Sequence, residues 1–230
     1  MHVILATHNR HKIKEISDVI YKSPHPPFAK GGQKEIKIES LLDYPDVVLP
    51  PETGTTFVEN ARVKARTVFD KGVKSCVSQN ETKDTPFCES QDLTPWILAD
   101  DSGLCVDMLG GRPGVYSSRY SGEPTDYARN NRKLLGELKG VPWEKRTAHF
   151  ICSMVLIDPS GKEHEIEGRV NGYIAEEESS GTEGFGYDPV FYLPEYKATI
   201  AELPFEEKNK LSHRGLAAQK ALQILLKSIS

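Results

Sequence analysis

The chain contains no apolar run near the roughly 18 residues that a membrane-spanning helix needs. Its opening stretch, "MHVILATHNRHK", holds only a short apolar segment with no charged region before it. That pattern excludes a signal-peptide core and predicts the first strand of a cytoplasmic protein. Cysteine is scarce. Cys76, Cys88, Cys105 and Cys152 show no C-x-x-C spacing, which argues against a zinc site. Cys105 and Cys152 lie in apolar runs and are expected to be core thiols. Basic charge is not in excess: 29 Lys and Arg against 33 Asp and Glu leave a net charge of −4. Non-specific nucleic-acid binding needs a basic field that this chain lacks, although a small anion needs only a local basic cluster. The G-x-x-x-x-G-K-S/T, G-x-G-x-x-G and H-E-x-x-H patterns are missing as well, so any bound phosphate must be held by another device. Internal repeats and low-complexity tracts are also missing.

What is present is an ordinary globular composition, 38% hydrophobic and 27% charged over 230 residues. That length allows one large domain or two small lobes around a sizeable core. "HVILAT" reads as a strand, and Ile13, Ile16 and Ile20 at helical spacing predict a helix that begins at "THNRHK". "EIKIES" is a candidate strand in a proline-punctuated region over 23–51. Thr56 and Glu59 form a capping box for a helix with Phe57, Ala61, Ala65 and Val68 on one face, fading at Gly72. Residues 73–95 are polar and aperiodic and read as a surface insertion. "WILA" and "GLCVD" read as two strands that flank an aspartate pair. A helix is expected from about Pro124 to Lys139. A hairpin follows, with strands over 146–157 and 162–175 turned by "DPSG". Ser212 can cap a last helix that carries Ala217, Ala221, Ile224 and Leu225.

Four segments carry candidate chemistry. In "LADDSGLCVD", Asp100 and Asp101 are adjacent at an apparent strand end, where two carboxylates about 4 Å apart repel by roughly 4 kcal/mol at an effective dielectric near 20. Open water or a cation should offset that cost. With Glu52 of "PPETGTT", they compose a hard oxygen set suited to Mg²⁺. "THNRHK" is a strand-to-helix turn whose backbone N–H groups suit an anion. Thr7 and Asn9 add neutral donors there, and Lys12 adds charge. "GFGYDP" offers flexible backbone, two aromatics for stacking and one acid. "KNKLSHRG" gathers Lys208, Lys210, His213 and Arg214 at a helix start. Singly, each has a plain structural reading as a cap or turn. Together they supply what a nucleoside triphosphate with Mg²⁺ requires.

The segments "LATHNRHK", "ETGTTFVENARVKA", "LADDSGLCVDMLGGRPGVYSSRYSG", "GFGYDPVF" and "EEKNKLSHRG" run in order along nearly the whole chain. In them the chain closely resembles the inosine triphosphate pyrophosphatase family, which hydrolyses deaminated purine nucleoside triphosphates. The resemblance implies an α/β fold with a long central mixed sheet flanked by helices and two lobes enclosing a substrate cleft, in a single domain over 1–230. It also implies a homodimer. By the same resemblance Thr7, Asn9 and Lys12 grip the phosphates, His8, Arg10 and His11 between them belong to the substrate-binding segment, and Glu52 and Asp101 hold Mg²⁺. Asp101 is the proton acceptor, and Ser102 contacts substrate. Phe185, Gly186, Tyr187 and Asp188, with Lys208, His213 and Arg214, line the base pocket. The expected reaction is hydrolysis of ITP, dITP or XTP to a monophosphate and pyrophosphate. Two features depart from the family pattern: His8 stands where many members have glycine, and the 73–95 insertion is unusually long. A Maf-like pyrophosphatase is a rival reading that "SHR" and "GFGYDP" oppose. A nucleotide sensor without turnover is another, and pyrophosphate release separates it.

Overall fold

The computed structural model describes residues 1–22, 36–72 and 94–229 of the chain. The proposed insertion lies almost wholly outside the described residues. Among them, seven strands form one sheet in the order β2-β1-β3-β4-β5-β6-β7. These are β1 (His2–Leu5), β2 (Lys37–Ser40), β3 (Trp96–Val106), β4 (Thr147–Ile157), β5 (Glu163–Ile174), β6 (Phe191–Leu193) and β7 (Ala198–Thr199). β1 pairs in parallel with both β2 and β3, and every other pairing is antiparallel. This is the long mixed sheet that the sequence predicts. Among the described residues, no helix is long and apolar enough to cross a membrane.

Local signals account for the helices that flank the sheet. α1 (Arg10–Tyr21) is capped by Asn9, whose side chain accepts from the amides of His11 and Lys12. α2 (Phe57–Asp70) has the expected capping box between Thr56 and Glu59, and Gly72 follows in the left-handed region at φ 60°. α3 (Tyr127–Glu137) starts three residues later than expected because Asp126 is its cap, accepting from Arg129 N at 2.9 Å. α4 (Phe205–Leu211) leads into α5 (His213–Ile229). Ser212 caps α5, its hydroxyl accepting from Gly215 N at 3.0 Å.

One face of the sheet packs Val3, Leu5, Trp96 and Leu98 against Ile16 and Ile20 of α1 and Ala217, Ala221 and Leu225 of α5. The other face packs Ile4, Ile97, Ala99 and Val155 against Ala61, Ala65 and Val68 of α2. A third core joins the far ends of β3, β4 and β5 to α3 and β6 through Leu104, Phe150, Ile174, Leu134 and Phe191. Cys152 is buried in the first of these cores, whereas Cys105 is half-exposed; both are free thiols.

The aspartate region corrects the sequence reading. "WILA" and "GLCVD" are not two strands with a turn between them. β3 runs unbroken for 11 residues, and Asp100 and Asp101 sit mid-strand opposite Met154 and Ser153 of β4. Strand side chains alternate between faces. Asp100 therefore shares the face of Leu98 and α1, while Asp101 shares the face of Ala99 and α2. The expected repulsion is relieved because the two carboxylates point apart and meet different partners.

Where α5 begins, its approach to the sheet depends on Gly168 of β5. A Cβ there would lie 2.0 Å from the carbonyl oxygen of His213 and 2.7 Å from the amide of Ala217. Gly168→Ala should therefore push back the helix start that carries His213 and Arg214. The expected cost is at least about 2 kcal/mol, or roughly 4–8 °C of Tm for a chain of this size. An unchanged thermal midpoint would show that α5 can shift freely.

Candidate active site

β1 ends at Leu5, and its last ladder bond joins Ala6 N to Leu98 O at 2.8 Å. β3 continues past that point. The connection after β1 goes to α1 on one face, and the connection after β2 goes to α2 on the other. The carboxyl ends of β1 and β3 thus form a topological switch point, where open α/β sheets leave a crevice. A cavity of about 270 Å³ lies there and is reached from both faces. Thr7, Asn9, Lys12, Glu52, Asp101 and Ser102 line it, as do Phe185, Gly186, Tyr187, Asp188, Lys208, His213 and Arg214. His8, Arg10 and His11 are exposed and outside its wall, although His11 stacks on Phe185 at 5.0 Å. Lys210 also lies elsewhere, pairing with Glu207 at 2.7 Å.

The turn after β1 differs in detail from an open anion cradle. Asn9 Oδ1 accepts from His11 N at 3.0 Å and Lys12 N at 3.4 Å, so two helix-start donors are already used. Thr7 Oγ1 accepts from Asn9 N at 3.1 Å. Nothing in this turn needs a glycine at His8, because among the described residues Lys197 is the one non-glycine with positive φ.

On the α1 face, buried charges form a continuous chain. Lys12 Nζ pairs with Asp100 at 2.9 Å, and Asp100 also accepts from Arg214 Nε at 3.4 Å. Arg214 pairs in turn with Glu15, Glu15 with Lys208 at 2.8 Å, and Lys208 with Asp188 at 2.9 Å. Burial would favour the neutral acid at Asp100, but Lys12, Arg214 and Lys64 hold its pKa far below the usual range. At Glu15 burial is likewise outweighed, by Arg214 and Lys208. Asp188 goes the other way, its pKa raised by burial despite Lys208. It also accepts from Phe185 N at 2.8 Å and so ties the aromatic segment to the chain of charges. The cations of Lys208 and Arg214 lie 5.4 and 5.5 Å from the Phe185 ring centre. His213 stacks on Phe150 at 4.6 Å. Burial and the neighbouring Arg214 push its pKa well below 6.5, leaving a neutral imidazole at pH 7.

The α2 face carries the second set. Asn60 Nδ2 donates to Asp101 Oδ2 at 2.9 Å, while Asn60 Oδ1 accepts from Gly54 N at 2.8 Å. Asn60 therefore fixes the Glu52 loop against Asp101. One turn along the helix, Lys64 Nζ lies 2.8 Å from Glu52 and 3.7 Å from Asp101. Arg119 reaches the same loop, 3.7 Å from the Glu52 carboxylate and 3.2 Å from its carbonyl oxygen. Burial opposes ionisation of Glu52, but Lys64 above all keeps its pKa low. Asp101 is raised by burial, helped by the Glu52 charge and opposed by Lys64.

Glu15, Asn60, Lys64 and Arg119 are functional candidates that the motif reading passed over. Asn60 and Lys64 had a visible signal, since they interrupt the apolar face that Phe57, Ala61, Ala65 and Val68 define. Glu15 had a fainter one, as an acid beside Ile16 on the buried side of α1.

The turn after β1, the Glu52 and Asp101 carboxylates and an aromatic segment flanked by cations all line this one crevice. The chain belongs to the Ham1 family, whose model matches residues 3–224, and the family resemblance drawn from the motifs is borne out. It is 44% identical over 218 residues to the dITP/XTP pyrophosphatase of Geobacillus kaustophilus, covering 95% of this chain and 91% of that one. The dITP/XTP pyrophosphatase of Listeria monocytogenes is 43% identical with the same coverage. Among solved structures, a HAM1 protein from Coxiella burnetii superposes with a TM-score of 0.76 at 32% identity, covering 99% of both chains. The Staphylococcus aureus Ham1 protein gives 0.76 at 30% identity, covering 99% and 100%.

Glu15 joins two buried cations, so removing its charge leaves them undercompensated. Glu15→Gln should lose roughly 3–5 kcal/mol of stability near neutral pH. Because the folded-state pKa of Glu15 is lowered, its contribution is present above its unfolded pKa and disappears as pH falls through the folded value. Denaturant titrations should thus show parent and variant converging below about pH 4. A constant gap across that range would assign the loss to packing instead.

Proposed function

We propose that this chain is a nucleoside triphosphate pyrophosphatase that hydrolyses deaminated purine nucleoside triphosphates (ITP, dITP and XTP) to the monophosphate and pyrophosphate. The observation that carries this reading is the crevice whose wall brings together Asp101, Glu52, Lys12, Phe185 and Arg214. The names of the close relatives support the same substrate class.

Glu52 and Asp101 are a fitting donor set for Mg²⁺. They are hard oxygen ligands converging on one cation, the Lys64 ammonium. Among the described residues no group of three or more His, Cys, Asp or Glu could enclose a metal, so phosphate oxygens and water would complete the shell, as Mg²⁺ favours. Bound there, it would neutralise charge on the phosphates. Thr7, Asn9 and Lys12 grip the triphosphate tail. Asp101 takes the proton of a water whose oxygen bonds to the α-phosphorus, and the bond to the leaving pyrophosphate breaks. The raised pKa of Asp101 suits a general base. Phe185 stacks on the purine. Arg214 spends only part of its guanidinium on Glu15 and Asp100, leaving donors for the oxygen at C6 of hypoxanthine or xanthine. Adenine presents an amino donor at that position and leaves the arginine unpaired. The enzyme acts as a cytoplasmic homodimer.

The test is a panel of triphosphates assayed for pyrophosphate release with and without Mg²⁺. ITP, dITP and XTP should be cleaved in preference to ATP and GTP, and only with the metal. Binding without release would identify a sensor instead. Asp101→Asn should lower turnover by about 10²–10⁴-fold with the fold intact. The acid limb of the kcat/KM profile should lie above the ordinary aspartate value of about 3.9, because activity is lost as pH falls through the raised pKa of Asp101. Arg214→Met should erode the preference for ITP over ATP more than rejection of GTP, since guanine also carries the C6 oxygen.

A further inference from the structure

Lys64 is a lysine on the apolar face of α2, with its side chain only 7% exposed. Its ammonium sits between the two carboxylates that the preceding section assigns to a divalent cation. It lies within 2.8 Å of Glu52 and 3.7 Å of Asp101, and it lines the same cavity as Lys12. The arrangement is held from several directions. Asn60, four residues earlier on the same helix, fixes Asp101 directly and the Glu52 loop through Gly54. Arg119 holds that loop by donating to the Glu52 carbonyl oxygen. Asp101 and the backbone of the Glu52 loop are therefore held independently of Lys64, whose ammonium is carried on a flexible four-carbon stem.

A divalent cation and an ammonium cannot share these two carboxylates without strong like-charge repulsion at contact distance. An incoming triphosphate changes the balance, because it offers Lys64 a new anion within the same cavity. We propose that Lys64 serves as the resident counter-cation of Glu52 and Asp101 in the nucleotide-free protein. Free divalent metal then binds weakly, and the metal enters together with the triphosphate as Lys64 transfers from the carboxylates to the phosphates. Lys64 thereby couples the metal site to the nucleotide site. The coupling is reciprocal, so metal strengthens nucleotide binding by the same factor that nucleotide strengthens metal binding.

The proposal rests on Glu52 and Asp101 being the metal ligands, and its test reads metal binding rather than turnover. Mn²⁺ is titrated into the intact protein and followed by the loss of the free-ion electron paramagnetic resonance signal. The titration is run with and without a non-hydrolysable ITP analogue bridged at the α,β position. The parent should bind Mn²⁺ weakly alone and at least about tenfold more tightly with the analogue, within the usual range of coupling between sites. Lys64→Met should bind Mn²⁺ at least about tenfold more tightly than the parent without nucleotide, and lose much of the enhancement. Lys64→Arg keeps the charge and should behave like the parent, which makes it the second reading if Lys64→Met folds poorly; tight nucleotide-free binding by Lys64→Arg would count against the proposal. Tight binding by the nucleotide-free parent, or unchanged affinity in Lys64→Met, would overturn it. Adding Asp101→Asn to Lys64→Met should abolish the gained affinity. If the gain survives, the metal lies elsewhere, and the assignment of the carboxylates fails along with the proposal.

Discussion

The crevice depends on one run of buried charge: Lys12, Asp100, Arg214, Glu15, Lys208 and Asp188, each touching the next. Three cations alternate with three carboxylates, so the formal charges balance inside a region that water scarcely reaches. No member could be buried alone without heavy loss of hydration, whereas within the run each charge lies against an opposite one. Its members come from α1, β3, α4, α5 and the segment before β6, elements widely separated in sequence. The run therefore does more than neutralise charge. It fixes the turn after β1, the aspartate strand and the aromatic segment at set distances from one another, and it holds Phe185 through the bond from its amide to Asp188.

The apolar framework decides where that run can form. α1 and α2 take opposite faces of the sheet because the Ile16 and Ile20 stripe and the Ala61, Ala65 and Val68 stripe meet alternate residues of the same strands. β1 is too short to cover β3, so β3 beyond Leu98 borders an opening that both faces reach. Small residues refine the fit. Gly168 and Ala217 let α5 lie close to β5, bringing His213 and Arg214 to the edge of the same opening.

Much of this was legible in the sequence, and the missing parts share one cause. Periodicity and caps located the helices well, as with Thr56 and Glu59 or Ser212. The hairpin of β4 and β5 followed from its turn. The motif segments also converge on one cavity, as their chemistry suggested. What stayed hidden was pairing across the chain. Asp100 and Asp101 looked like a repelling pair at a break because their partners, Lys12 and Arg214 for one and Asn60 and Lys64 for the other, are distant in sequence. Glu15 was passed over because its value comes from residues roughly two hundred positions away.

The alternation of Asp100 and Asp101 makes β3 intolerant of a change in length. Most surface loops accept an added or deleted residue at little cost. One residue gained or lost before Asp100 would turn every later side chain to the opposite face. A lost residue would put Asp101 where Asp100 now meets Lys12 and Arg214, and a gained one would put Asp100 where Asp101 now meets Asn60 and Lys64, while the other aspartate leaves both sets of partners. Both aspartates would still be present, and any test of composition would find the site complete. The reading frame of the strand is thus itself a functional element, separate from the identity of any residue in it.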